Sequence, residues 1–319
     1  IVNTRSVAAE DGENHINDLT LLFFEPTTNE TGKFVGYYKV PAAQLPVGNE
    51  MQFSLNIVFE NGLSKANPYS ILAMANMNKN YLQDMDASLD AFLVDIENMT
   101  QNDVIQYAII NIQGVGRDED DDSAAMIRSN LPMSAKANKG ADEATVAMKL
   151  VRAVSRFDVF NNASAYTVES ISIWNAFTVG GVWEGGSIST DFARTERYYG
   201  LKGGDEGLNQ VYGGLYAYEN VSVSPDQNDN KTTCLIIGIR PVSSAAGIDV
   251  TYYRLNVSAK ERGQYLKRNN VYQITISGVN GIGEKTEYDA YKGGKFLLDV
   301  SVNAWDRDED GLIIRNGDN

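Results

Sequence analysis

The sequence predicts an all-β protein with one or two short helices, folded as two antiparallel β-sandwiches in tandem. Three observations carry this. Apolar and polar residues alternate with a period of two in segment after segment, as in strands with one face in a core and the other in water. The segments are short and bounded by clusters of Gly, Asn, Asp and Ser, which favour turns. The 319 residues, 43% of them hydrophobic, suffice for a sizeable core and for two domains rather than one.

In chain order, Leu19 to Phe24 reads as a strand with weaker alternation, containing the strand-sized apolar run Leu21 to Phe24. Met51, Phe53, Leu55, Ile57 and Phe59 alternate with Gln52, Ser54, Asn56, Val58 and Glu60, a second strand. Tyr69 to Ala75 follows. Leu82, Met85, Leu89, Phe92, Ile96 and Met99 recur at intervals of three and four, which places them on one helical stripe. An amphipathic helix near 82–99 is expected, packed across a sheet. Ile105 to Ile112 reads as a further strand. Ser134 to Ala144 is polar and rich in Ala, Lys and Gly, and marks a boundary. Beyond it Val146 to Val159 changes phase: Val146, Met148 and Leu150 share one parity, Val151, Phe157 and Val159 the other. A bulge, or a strand passing between sandwiches, produces such a switch. The expected domains are 1–155 and 156–319. In the second, strands are expected at Tyr166 to Ile173, Leu215 to Val223, Thr233 to Ile239, Thr251 to Val257, Val271 to Ser277, and where Phe296, Leu298, Val300 and Val302 alternate. Asp118 to Asp122 and Ser224 to Lys231 read as exposed loops.

Composition excludes whole classes of function. With one Cys and one His, no intrachain disulfide or thiolate zinc cluster is possible, and any histidine-based site must be built on His15 alone. Forty-two acidic against 27 basic residues give a net charge of −15, which repels nucleic acid and anionic membranes. No apolar run reaches the roughly 18 to 20 residues of a membrane-spanning helix. The first residue is Ile1 rather than Met, so any signal peptide or lipid anchor is expected to lie upstream of it. No cofactor is implied.

Chemistry-bearing motifs are few. Asp306, Asp308, Asp310 and Gly311 form D-x-D-x-D-G, the opening of a calcium loop, but the twelfth position, where a bidentate Glu belongs, is Gly317. A charged turn explains the same residues. Glu184 lies between Trp183 and two glycines, in a stretch with Trp174, Tyr198 and Tyr199. Such aromatics are also the stacking platforms of a glycan-binding module, and a hydrolase would need a second carboxylate that spacing does not supply. Cys234 reads as a small buried hydrophobe and His15 as a surface or strand-entry residue. The six N-x-S/T sequons, at Asn29, Asn98, Asn162, Asn220, Asn230 and Asn256, are attributed to chance.

Several segments together resemble the Bacteroidales fimbrillins, the type V pilins. They are Gly12-Glu13-Asn14-His15-Ile16-Asn17-Asp18-Leu19 with Leu21-Leu22-Phe23-Phe24, then Ala73-Met74-Ala75-Asn76, then Leu131-Pro132-Met133-Ser134. Leu150 to Val159, Tyr216-Ala217-Tyr218-Glu219-Asn220, Tyr252-Tyr253-Arg254-Leu255 and Arg268 to Ile276 continue the series, which ends in the strand leading into Trp305. The resemblance implies two transthyretin-like sandwiches, export as a lipoprotein precursor to the cell surface, and assembly with other fimbrial subunits by proteolysis-triggered strand exchange. A host or bacterial surface receptor is a further implied partner. Carried onto this sequence, Arg5 and Ser6 flank the expected cut. Phe296, Leu298, Val300, Val302, Trp305, Leu312 and Ile314 belong to the expected donor segment or the strand pair that becomes it. Ser123, in Asp122-Ser123-Ala124, resembles an O-glycosylation site of exported Bacteroidales proteins. The alternative is a tip adhesin or surface glycan-binding module.

Overall fold

The structure is a computed structural model describing residues 2–4, 13–47, 52–53, 55, 57, 59, 62–77, 81–82, 88–111, 130–141, 143, 146–177, 179–186, 194–202, 212–220, 233–246, 248–256, 266–293, 298–307 and 313–315. For 2–4, 52–53, 81–82, 111, 194–202, 212–214, 298–307 and 313–315 the description is of the backbone alone. The chain forms two compact units. Of the described residues, 2–111, 130–153 and 179–186 belong to unit 1 and the remainder to unit 2. A single cut near 155 therefore does not divide them, because 179–186 is counted with unit 1.

Unit 1 contains β1 (Val2–Thr4), β2 (Leu19–Phe24), β3 (Phe34–Lys39), β4 (Gln52–Phe53), β5 (Tyr69–Ala75), β6 (Tyr81–Leu82), α1 (Leu89–Asp95), α2 (Gln101–Tyr107), β7 (Ile109–Asn111), β8 (Met133–Lys139) and β9 (Met148–Arg152). Seven strands form one sheet in the order β3-β2-β5-β8-β9-β1-β4. Its inner face carries Leu19, Leu21, Phe23, Ile71, Ala73, Met133, Met148 and Leu150, with half-buried Leu55, Ile57 and Phe59 packed against them. Those three residues keep the inward parity expected of them, although the described strand there is only Gln52–Phe53. Every residue of β2 and β5 is buried, so both faces of the sheet are covered there. That explains why Leu21 to Phe24 is a continuous apolar run rather than an alternation.

The helical stripe is shorter than its periodicity predicts. Leu82 belongs to a strand, and the helix runs Leu89–Asp95 with Ser88 as its N-cap. The second departure is Ile105, expected in a strand but placed in α2. Thr100 accepts from the Asp103 amide while Asp103 accepts from the Thr100 amide, a capping box that starts a helix regardless of the β-branched residues inside it. A third concerns Ser134 to Ala144, expected as a boundary: Met133–Lys139 is β8, between β5 and β9. Its polar residues find partners. Ser134 Oγ donates to Val182 O at 2.7 Å, and Lys139 Nζ donates to Lys65 O, Asn67 O and Gly140 O.

Unit 2 contains β10 (Val154–Asn161), β11 (Tyr166–Phe177), β13 (Arg194–Lys202), β14 (Tyr212–Tyr218), β15 (Cys234–Pro241), β16 (Thr251–Asn256), β17 (Val271–Val279), α3 (Glu287–Gly293), β18 (Leu298–Arg307) and β19 (Ile313–Arg315). The phase change in Val146 to Val159 falls at Ala153, between β9 and β10. Two sheets, β14-β10-β17-β18-β19 and β13-β11-β15-β16, enclose a core of Phe157, Val159, Ile171, Ile173, Leu235, Ile237, Tyr253, Leu255, Ile274 and Ile276. Helix α3 covers the outer face of the second sheet: Ala290 and Tyr291 pack with Trp174, Cys234 and Ile236. Like α2, it begins on a T-x-x-D pair, the Asp289 amide donating to Thr286 Oγ1 at 3.1 Å.

Between β11 and β13 lies β12 (Gly180–Gly181), which pairs with β7 in unit 1. Trp183 is 1% exposed, and its indole N–H donates to Ala73 O at 3.2 Å. The two glycines after Glu184 have steric roles. Gly185 has φ +82°, and a Cβ on Gly186 would lie 2.9 Å from Ile105 O.

Candidate functional site

Strand β1 lies between β9 and β4. It runs parallel to β9, with Val2, Asn3 and Thr4 opposite Met148, Lys149 and Leu150, and antiparallel to β4, with Val2 and Asn3 opposite Phe53 and Gln52. Met148 and Leu150 are buried in the unit 1 core, with Lys149 between them half-buried. A β-strand has two hydrogen-bonding edges, and β1 occupies the edge of β9 that faces away from β8. Without it, β9 presents unpaired backbone groups beside apolar core residues, the arrangement that accepts an added strand. Arg5, Ser6 and Ser123 lie outside the described residues.

After residue 12 the chain is held by a buried polar cluster. Asn76, fully buried and in the left-handed region at φ 64°, accepts from the Asn17 amide (2.8 Å) and donates to His15 O (2.9 Å) and Leu131 O (2.7 Å). Asp18 reciprocates: its carbonyl accepts from the Asn76 amide and its carboxylate from the Met77 amide. Arg152, at the end of β9, donates to Glu13 O at 3.0 Å and Asn14 Oδ1 at 2.7 Å, and its guanidinium lies 3.8 Å from the Glu13 carboxylate. The next residue, Ala153, donates its amide to Pro132 O. The Glu13 to Asp18, Ala73 to Asn76 and Leu131 to Met133 segments, scattered in sequence, thus meet in one place.

The segments of the second half do likewise in unit 2. Arg268 Nε donates to Glu219 Oε1 at 2.9 Å, Arg156 Nη2 to Asp158 Oδ2 at 2.9 Å, and the Asn269 amide to Val154 O. Arg254 donates to Tyr291 O at the end of α3, where a cation suits the negative end of the helix.

At the C-terminal end, β18 pairs antiparallel with β17, Leu298, Val300 and Val302 standing opposite Val279, Ile276 and Ile274. Ile276 and Ile274 belong to the unit 2 core. Trp305 and Asp306 continue β18 and pair with Arg315 and Ile314 of β19, an edge strand. Phe296, Leu312, Asp308 and Asp310 lie outside the described residues. Among the described residues, no three His, Cys, Asp or Glu side chains converge as metal ligands would.

Of the aromatic platforms expected of a glycan site, the two tryptophans are core residues, and the side chains of Tyr198 and Tyr199 lie outside the description. Trp174 is 5% exposed, packs its ring at a tilt against Tyr291 with centroids 4.9 Å apart, and donates its indole N–H to Ser172 Oγ at 2.8 Å. Trp183 is buried as described above. A ring whose faces and polar edge are already engaged cannot stack on a sugar. Glu184 is exposed on its turn, and His15 is half-buried, its carbonyl taken by Asn76. Cys234 is fully buried, and that burial raises its thiol pKa to about 12.

The fold is that of bacterial surface adhesion proteins. A putative cell adhesion protein from Parabacteroides distasonis superposes with a TM-score of 0.59 at 15% identity, covering 95% of this chain and 94% of that one. The tip fimbrial protein Mfa3 from Porphyromonas gingivalis, with a C-terminal truncation, gives 0.55 at 15% identity over 94% and 97%. A fimbrial assembly protein from P. distasonis gives 0.50 at 11% identity over 99% and 96%. No curated protein matches the chain. The family described as major fimbrial subunit protein (FimA) matches residues 2–214, and the chain belongs to that family. The family is one of structural fimbrial subunits rather than of enzymes, and it implies the cell-surface fimbrium as location and other fimbrial subunits as partners. Among the described residues no helix is long and apolar enough to cross a membrane.

Proposed function

We propose that this protein polymerises by strand exchange into a fimbria that supports adhesion to a host or bacterial surface receptor. Its precursor is exported as a lipoprotein through the outer membrane. A protease cuts between Arg5 and Ser6, β1 leaves, and a terminal strand of the next subunit takes its place. The observation that carries this reading is the position of β1, a three-residue strand between β9 and β4 and immediately upstream of the Arg5–Ser6 bond. An incoming strand that pairs along all of β9 and seats apolar side chains over Met148 and Leu150 replaces it favourably, at about 25 cal/mol for each Å² of apolar surface buried.

The donor comes from the segment containing Phe296, Leu298, Val300, Val302, Trp305, Leu312 and Ile314. The pairing of β18 with β17 supports a division of labour within it, with β18 a fixed strand of the body and β19 and the residues around it the part passed on. Mixing the trimmed full-length protein with a synthetic peptide spanning Arg307 to Asn319 tests this. The peptide should block SDS-resistant multimers; multimers forming at the same yield would remove this segment as donor.

A further inference from the structure

An Asn followed by Gly is chemically labile, because the backbone nitrogen of the second residue can close a five-membered ring on the side-chain carbonyl carbon of the first. Nucleophile and electrophile belong to one short stretch of chain, so the attack is intramolecular. Gly, without a Cβ, neither obstructs the closure nor restricts the backbone conformation it needs. The sequence has three such pairs, Asn61-Gly62, Asn280-Gly281 and Asn316-Gly317, and Asn280-Gly281 is the one in which both residues are described.

For the ring to close in the folded protein, the Asn side chain must be able to turn onto the next nitrogen. Asn280 is exposed and stands one residue past the end of β17, whose last residue, Val279, pairs with Leu298. The segment after it is held, but at other atoms. Gly281 is anchored through its carbonyl, which accepts from the Tyr253 hydroxyl at 2.9 Å. Glu284 exchanges both backbone bonds with Tyr252, at 2.8 and 2.9 Å. Between these anchors a Cβ on Gly283 would lie 2.7 Å from Tyr253 Cζ, while Ile282 is 88% exposed. The side chain of Asn280 thus faces solvent at the entry to a loop fixed on Tyr253, a residue of the unit 2 core.

We propose that Asn280-Gly281 is a site of spontaneous covalent modification in the folded protein, converting Asn280 to aspartate and isoaspartate. The Gly281 amide nitrogen bonds to Cγ of Asn280, and the bond from Cγ to the side-chain nitrogen breaks. That nitrogen takes the proton given up by the Gly281 amide and leaves as ammonia. Water then opens the succinimide at either carbonyl. Opening at Cγ gives aspartate. Opening at the backbone carbonyl gives isoaspartate, in which the main chain runs through Cβ and Cγ and is one atom longer between β17 and the Gly281 anchor on Tyr253. Either product puts a carboxylate where an amide stood, adding one negative charge to a chain already at −15.

The inference does not rest on strand exchange, and it is tested on the uncut monomer. Full-length protein is incubated at pH 8 while circular dichroism shows it folded, then digested, and its peptides are assayed with isoaspartyl methyltransferase and by mass. The peptide containing residue 280 should accumulate isoaspartate in the wild type, and the signal should be lost in Gly281→Ala. Asn280→Gln, whose longer side chain would have to close a six-membered ring, should lose it as well and serves if Gly281→Ala does not fold. A parallel sample in urea reports what the free chain does at the same pH. Folded wild type without isoaspartate at 280, whatever the urea sample shows, would overturn the proposal, and so would a folded-state signal that persists unchanged in either variant.

Discussion

Replacing Asn76 separates side-chain bonding from backbone conformation in one experiment. In Asn76→Gly the left-handed backbone is retained at no steric cost, and three hydrogen bonds of 2.7 to 2.9 Å, one buried and two part-buried, are lost. At about 1 kcal/mol each, with some further cost for stranding buried groups, the expected loss of stability is about 3 to 4 kcal/mol. Asn76→Ala loses the same bonds and also forces a Cβ-bearing residue without a local polar partner to φ 64°. That conformation costs an additional 1 to 2 kcal/mol or so, partly offset by the lower backbone entropy of Ala in the unfolded chain. Glycine should therefore be the better tolerated replacement by about 1 kcal/mol, the reverse of their order at an ordinary strand or helix position. Urea unfolding followed by tryptophan fluorescence reads both numbers. The reasoning fails if Asn76→Gly lies within 1 kcal/mol of wild type, or if Asn76→Ala is the more stable of the two.

Other consequences can be measured directly. Thr100→Ala should cost about 1 kcal/mol through loss of the α2 cap. Its hydrogen bonds hold the Asp103 carboxyl below its usual 3.8; a depressed folded value stabilises above the unfolded one, so the gap between wild type and Thr100→Ala should narrow as pH falls below 3.8, and a gap independent of pH would refute the cap. Cys234 should not react with an aromatic disulfide reagent at pH 8 in the native protein and should react fully in urea; rapid native labelling would contradict its burial and its raised pKa of about 12. Leu298→Asp should lower the melting temperature, because that position pairs with Val279 in the body sheet. Leu312→Asp should leave the melting temperature unchanged and abolish SDS-resistant multimers; multimers at wild-type yield in Leu312→Asp would remove that residue from the donor.

How much of this was legible in the sequence depends on the range over which each signal acts. Period-two alternation identifies Leu298 to Val302 as a strand because one face alone is apolar there. The same rule says nothing of where Leu19 to Phe24 sits, since a run buried on both faces has no period. The helices α2 and α3 were hidden behind β-branched and aromatic residues, yet each announces itself in a T-x-x-D pair, Thr100 with Asp103 and Thr286 with Asp289. Trp174 and Trp183 looked like platforms because tryptophan beside a carboxylate is ambiguous in one dimension. Only the partners of their indole N–H groups, Ser172 and Ala73, reveal them as core. The polar look of Ser134 to Lys139 misled for a similar reason: the Lys139 ammonium donates to three backbone carbonyls, two of which lie more than 70 residues away. Return of 179–186 to unit 1 has no local signal at all.

The claim on which the account turns is that β1 is a placeholder released by cutting after Arg5. The most direct measurement treats purified full-length wild type and Arg5→Ala with an arginine-specific protease and compares their SDS-resistant multimers with the N-terminal sequence of each band. The account predicts multimers beginning at Ser6 in the wild type and none in Arg5→Ala. Equal multimers from Arg5→Ala, or a wild type that begins at Ser6 and stays monomeric, would contradict it.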